Sequence, residues 1–418
     1  MVSSKISPFK AILICINSMI GAGLFISARP LTQYAGAFGF LDYILAACIL
    51  FPLILCIAEL ASLHPVAGGL YVYSRTYLGQ WPGFISGWGY FVGKTTSAAV
   101  LMHNFVNFFY IRIHALQAVP LLLLDCLMLF SIVAINSAGV SIGGRIQYFF
   151  TILKMIPILF AFGVGFVYCD LRNFKDLLDL QSIIYAIPIA IFPLLGFEVI
   201  CAVANMVEGA QQNIRRILIT AFLLVAAIDI SFQFITFGIL GNNLKDIHEP
   251  ILTLGLKVLA NYPLLASAIN GAVFASIIGA CFSLLTSNCW NLHTIARYGH
   301  LPAGSLLTKL NKFNVPWVSL LVEAAIGCII LLITKDQVPL QYMAVFSQAI
   351  CYLTSSVAAL YAVKTAATKR LSLAIPLFSI LSCLVILGIC LGRLISFGLS
   401  ASFLIVLGVG FVLALCKR

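Results

Sequence analysis

Apolar runs of about twenty residues recur along nearly the whole chain, each long enough for a helix to cross the hydrocarbon of a bilayer. Two of these runs are broken by short glycine-bearing segments, Met19-Ile20-Gly21-Ala22-Gly23 and Phe192-Pro193-Leu194-Leu195-Gly196-Phe197-Glu198. Inside hydrocarbon an unpartnered peptide N–H or C=O costs several kcal/mol, so an unwound segment persists there only against a cavity or a ligand. Paired breaks at corresponding places in two halves of a chain point to the binding site of a secondary carrier.

With 62% hydrophobic and 9% charged residues, a water-soluble globule is excluded. The length of the runs, and the Gly, Pro and aromatics within them, suit helices rather than the short alternating strands of an outer-membrane barrel. The expectation is an all-α polytopic membrane protein of about twelve spans. They are placed at 10–33, 38–63, 82–110, 118–136, 147–168, 183–206, 216–240, 263–290, 316–334, 340–364, 371–393 and 396–416. No soluble domain interrupts them, so residues 1–418 read as one transport domain. The spacing of the two breaks suggests two five-span inverted repeats, roughly 10–180 and 181–365, followed by two extra helices at 371–416. The loop from Gly241 to Tyr262 alternates apolar and polar residues and is expected to lie as a helix over the outer mouth of a cavity.

The net charge of +11 does not form one basic patch of the kind nucleic acid needs. It sorts by loop instead. Lys5, Lys10, Arg75, Arg145, Arg215, Arg216, Arg297, Lys309, Lys312, Lys364, Lys369, Arg370, Lys417 and Arg418 fall on one side, which should be cytoplasmic. Basic residues on the other side are offset by Asp170, Asp176, Asp179, Asp246, Glu249 and Asp336. Both termini are therefore expected inside, with the protein in the cell (inner) membrane. The 13 cysteines sit mostly singly in apolar runs without a CxxC or a histidine cluster, which fits packing rather than metal or redox work. The first apolar run is full length and lacks a small-residue cleavage site, so it reads as a retained span. A membrane-embedded enzyme would need a constellation such as HExxH or G-x-S-x-G, and neither is expected here; no catalytic residue and no cofactor is implied.

Four landmarks in order resemble the amino acid–polyamine–organocation (APC) transporters over roughly the first 320 residues. They are Ile20-Gly21-Ala22-Gly23-Leu24-Phe25; Pro65-Val66-Ala67-Gly68-Gly69-Leu70-Tyr71-Val72-Tyr73; Phe192 to Glu198; and Ala296-Arg297-Tyr298-Gly299-His300-Leu301-Pro302. The loop after span 6, Glu208-Gly209-Ala210-Gln211-Gln212-Asn213-Ile214-Arg215, lacks the two prolines usual there. The resemblance implies a leucine-transporter-like fold, an amino acid substrate between broken spans 1 and 6, and alternating access driven by protons or by substrate exchange. It also implies that Phe192 covers the substrate, and that Lys154 fills the place where sodium-coupled relatives hold a cation, donating to carbonyls near Ser18 and Gly21.

The residues themselves support a zwitterion site. Where span 1 opens, the following half-helix offers free N–H groups and its positive end to a carboxylate. Ser18, Ile20, Gly21, Ala22 and Gly23 are the expected contacts on that side. Phe192, Leu195 and Gly196 are those on span 6, whose freed carbonyls suit an α-ammonium. Tight helix packing is the other reading of Gly21 and Gly23. Glu198, a carboxylate at membrane depth, is either a proton-sensing group or paired with a cation. Lys94 is either a counter-charge for an acidic substrate or the internal partner of Glu198 or Asp229. Asp125, Asp229 and Glu323 each fit a proton relay or a structural pair. A channel or substrate sensor of the same fold, and carriage of another small organic amine or carboxylate, remain rivals. Oligomeric state leaves no mark in the sequence.

Overall fold

The computed structural model describes residues 5–415 apart from 22, 67, 139 and 176–178, and the side chains of 140–148 and 166 are also left undescribed. The sequence candidate Ala22 thus lies outside the described residues. In chain order the helices are α1 (Pro8–Met19), α2 (Gly23–Ala35), α3 (Gly39–Leu63), α4 (Gly69–Leu78), α5 (Gln80–Arg112), α6 (Leu121–Asn136), α7 (Val140–Tyr168), α8 (Leu180–Leu194) and α9 (Val199–Ala202). They continue as α10 (Ala210–Leu240), α11 (Pro250–Val258), α12 (Pro263–Arg297), α13 (Gly304–Leu307), α14 (Trp317–Ile333), α15 (Gln337–Lys364), α16 (Ala374–Ser396) and α17 (Ser400–Leu415).

With α1 and α2 counted as one broken crossing, and α8 and α9 as another, the described residues traverse the bundle twelve times. The N-terminal end of the bundle is called the near face below, and the opposite end the far face. Expected and observed crossings agree to within a few residues except at three polar ends, one of them the start of α10 at Ala210 rather than 216. Helix α7 starts at Val140 and α12 runs on to Arg297. Asn291, His293, Thr294 and Arg297 extend α12 beyond its apolar stretch, and hydropathy is blind to helix that continues past hydrocarbon.

Local chemistry sets the two openings. Helix α1 starts at a Ser7 N-cap that accepts from the Lys10 N–H, with Pro8 in the first turn where its missing N–H is harmless. It ends because the Gly21 N–H turns back to the Met19 carbonyl at 2.7 Å, which leaves the Asn17 carbonyl without its helical donor. In the sixth crossing, α8 carries Pro188 and Pro193 and gives way to extended backbone at Leu195. Gly196 then takes φ +119°, a torsion that glycine tolerates and a side chain does not.

Around these openings α3, α5, α10, α12 and α15 form one continuous buried core. Gly89 and Gly93 let α5 approach α15 closely, beside Ser347 and Gln348. On the far face α11 forms the helix expected in the Gly241 to Tyr262 loop, and its Pro250 and Ile251 line a far-side vestibule. On the near face Ile6 and Val207 make an isolated parallel bridge, with Ile6 N–H on Met206 O at 2.8 Å and Glu208 N–H on Ile6 O at 2.9 Å. That bridge ties the start of the first crossing to the end of the sixth.

Candidate functional site

The two openings meet backbone to backbone. A Cβ placed on Gly196 would stand 2.9 Å from the Ser18 carbonyl oxygen, and one on Gly23 would stand 3.1 Å from Pro193 Cα. Between them lies a cavity of about 50 Å³ lined by Ser18, Gly21, Gly23, Phe192 and Leu195 from the broken crossings, and by Lys94 from α5. A water takes about 10–15 Å³ in such a measure, so the space suits a handful of heavy atoms. Ile20 and Gly196 are outside this lining. Ile20 contributes its carbonyl to Lys154, and Gly196 its N–H to Glu198.

Lys154 of α7 is 5% exposed, and its ammonium donates to Asn17 O at 2.7 Å and to Ile20 O at 2.8 Å. Both carbonyls are freed by the opening, one residue before each of the two positions expected from sequence. The offset follows from where α1 stops: Ile20 N–H still closes a helical bond to Ile16 O, so Asn17 is the first carbonyl left open. Thr151, one turn earlier on α7, donates to the Asn17 side chain at 2.8 Å.

Lys94 and Glu198 form a buried ion pair, Nζ to Oε1 2.7 Å, with 2% and 1% of the side chains exposed. Internal pairing is therefore the arrangement the structure adopts for Lys94, with Glu198 and not Asp229 as its partner. The second oxygen of Glu198 accepts from Gly196 N–H at 3.1 Å and from the Tyr352 hydroxyl at 3.1 Å. A carboxylate buried this deeply persists because ionic and hydrogen-bond donors converge on it. Lys94 lines the central cavity, whereas Glu198 lines a near-side vestibule of about 600 Å³ together with Tyr90 and Tyr71. The pair is thus part of the wall between the two spaces. On the far side a vestibule of about 720 Å³ contains Arg29, Arg112, Lys335, Glu249 and Asp336 and shares no lining residue with the cavity.

Several lining residues were missed from sequence. Asn17, Ser97 and Phe150 join the wall, and α12 supplies Ser276, Gly279, Ala280, Ser283 and Ser287. The α12 residues recur every three or four positions on one helix face, a legible signal. Ser276 is 1% exposed, and its hydroxyl has no hydrogen-bond partner among the described residues. Thr95, by contrast, bonds back to Phe91 O at 2.9 Å, as short hydroxyls in helices do. The expectation that no G-x-S-x-G spacing occurs is corrected: Gly139-Val140-Ser141-Ile142-Gly143 has the spacing of a nucleophile elbow. That elbow requires a preceding strand, whereas Val140 to Gly143 open helix α7 and no strand lies among the described residues.

A helical bundle with a small cavity between two opened crossings defines a multi-pass membrane protein of the transporter class. The chain belongs to the amino acid permease family: the family model described as "Amino acid permease" matches residues 6–413. Relatives include the serine/threonine exchanger SteT of Bacillus subtilis, 23% identical over 90% of this chain and 87% of that protein. The gamma-aminobutyric acid permease of Escherichia coli is 21% identical over 74% and 69%, and the lysine-specific permease LysP of Lactococcus lactis 22% over 75% and 66%. As in these relatives, the family's work is amino acid transport, not enzymatic chemistry.

Proposed function

We propose that this protein is a sodium-independent secondary carrier of small neutral amino acids, moving them by alternating access coupled to protons or to substrate exchange. The observation that carries the reading is Lys154. Its ammonium already satisfies the two carbonyls that the opening of the first crossing leaves free, so a metal cation has neither the oxygens nor the charge balance to bind beside them. The free N–H end of α2 and the carbonyls of the α8 opening then receive the carboxylate and the ammonium of a zwitterion.

Charge and size narrow the substrate. Lys94 and Glu198 neutralise each other, and Lys154 leaves the cavity with positive charge, so a cationic amino acid is disfavoured. The serine-rich α12 face and the small volume suit a short side chain. Likeness to the serine/threonine exchanger over most of both chains supports the same size class. The loop distribution of Lys and Arg supports an orientation in the cell membrane with both termini cytoplasmic. Residues 10–180 and 181–365 act as the two repeat units, each beginning with a broken crossing.

Counterflow of labelled serine, alanine, glutamate and lysine into liposomes containing the purified full chain tests the reading. Uptake of the neutral pair, equal in sodium and in choline, is expected. Uptake that requires sodium, or a preference for lysine, sinks it.

A further inference from the structure

Three carboxyl groups lie in the interior of crossings, away from the cavity: Asp125 of α6, Asp229 of α10 and Glu323 of α14. Two of them are accounted for. Asp125 is paired with His103 Nδ1 at 2.9 Å, and Glu323 accepts from the Asn288 amide at 2.7 Å. Asp229 is 1% exposed, about midway along a long buried helix, and neither of its oxygens has a hydrogen-bond partner among the described residues.

The surroundings of Asp229 are rich in acceptors and poor in cations. Helices α3 and α10 run antiparallel, with Gly39 packed on Gln233, so that Tyr43 comes opposite Asp229 one turn further along. The Tyr43 hydroxyl is fully buried, faces Ser27 without a hydrogen bond of full geometry to any of the described residues, and lies within electrostatic reach of Asp229. Ser27 sits one turn beyond Gly23 on α2, the half-helix whose end faces the substrate cavity, and accepts from the Gln341 amide at 3.0 Å. The Gln233 amide reaches Thr32 Oγ1 of α2 at 3.2 Å. Among the other groups of the elements packed on α10, Lys154 of α7 is held by Asn17 and Ile20, and the Cys15 thiol of α1 donates to Phe197 O. Asp42 of α3 brings a second buried carboxyl, not a cation; its oxygens likewise have no hydrogen-bond partner among the described residues, but it lies in the first turn of α3, at the end of the crossing, whereas Asp229 lies midway along α10.

An ionised carboxylate left without donors in such a place is untenable, whereas the neutral acid needs no counter-ion. We propose that the Asp229 carboxyl is the proton-binding site of this carrier, and that it reports to half-helix α2, and so to the substrate, through Tyr43 and Ser27. The substrate-coupled movement of α2 changes which hydroxyls face Asp229, and with them the affinity for the proton. By linkage, a proton bound there biases α2 in return. The inference rests on the carrier reading above and names its coupling ion.

The test uses the full chain in liposomes loaded with a pH-reporting dye, comparing wild type with Asp229→Asn and Tyr43→Phe. Wild type is expected to take up protons with alanine. Asp229→Asn should lose at least tenfold of the proton uptake per alanine and of the accumulation driven by a pH gradient, while alanine counterflow persists at a reduced rate. Tyr43→Phe should shift the pH dependence of accumulation. The thermal midpoint of Asp229→Asn separates coupling from folding: Asn replaces a neutral acid with little change at pH 7, whereas a drop of more than about 10 °C would show an ionised carboxylate with a charged partner and overturn the proposal. Unchanged proton uptake in Asp229→Asn also overturns it, as does a sodium flux that the variant abolishes. Wild type that exchanges alanine without moving protons ends this proposal and leaves the carrier intact; wild type without counterflow ends the carrier reading itself.

Discussion

Replacing Lys94 by methionine isolates the pair that separates the cavity from the near vestibule. The change removes the ammonium 2.7 Å from Glu198 but keeps an unbranched side chain of similar length. Glu198 is then left with the Gly196 N–H and Tyr352 hydroxyl as donors and without a counter-charge. Breaking one side of a buried pair costs about 3–5 kcal/mol, much of it the exposed cost of the orphaned charge. At about 1.4 kcal/mol per factor of ten, that is a fall of two to three and a half decades in the folding constant. Glu198→Gln should cost a similar amount by orphaning Lys94. The double variant buries no net charge and should recover most of the loss, giving a coupling energy of at least about 2 kcal/mol. Reversible unfolding in mixed detergent micelles, followed by tryptophan fluorescence for all four proteins, measures the cycle. Strictly additive losses, with coupling below about 0.5 kcal/mol, would refute the pair as an energetic unit. Near-native stability of Lys94→Met with selective loss of acidic-substrate binding would assign Lys94 to the substrate instead.

Gly196→Ala places a Cβ against the Ser18 carbonyl at a positive φ, so a loss of about 1–3 kcal/mol in stability and a collapse of counterflow are expected; wild-type uptake by this variant would contradict the close approach. Lys154→Ala strands the Asn17 and Ile20 carbonyls at about 1–3 kcal/mol for each unsatisfied group and should abolish accumulation in sodium and choline alike, as read by radiolabel uptake. His248, in the far-side loop before α11, has its pKa pulled below the ordinary value by burial first, then by Arg29 and Arg112. Since Arg29 Nη1 donates to its Nδ1 at 2.9 Å, the ring there is neutral. A depressed histidine value means this contact is intact at neutral pH and its stabilisation fades as pH falls below the unfolded value of about 6.5. Amide protection factors in residues 247–258, corrected for the intrinsic pH dependence of exchange, should therefore fall between pH 7.5 and 5.5, and lose that dependence in His248→Gln.

The crossings and both openings were legible because hydrocarbon imposes a simple length rule and because glycine and proline announce where it is broken. The same rule says nothing about rotation of one helix against another. Sequence therefore left Lys94 between a substrate and two acids, and only the three-dimensional contact of its ammonium with Glu198 decides between them. The register of freed carbonyls depends on one hydrogen bond, Gly21 N–H to Met19 O, which shifts the Lys154 contacts to Asn17 and Ile20. The serine face of α12 was present as a pattern, but small residues recur in many membrane helices for packing alone. Of Asp125, Asp229 and Glu323, each alike as an acid in an apolar run, pairing across helices distinguishes the third-party-bound from the solitary.

The first and sixth crossings are pinned together twice, at mid-bundle where Gly196 rests on Ser18 and at the near face where Ile6 bridges Val207. Two fastenings along one line make a hinge leaf of α1 and α9. Neither α1 nor the α9 segment can therefore peel back from the near face alone without breaking the Ile6–Val207 bridge.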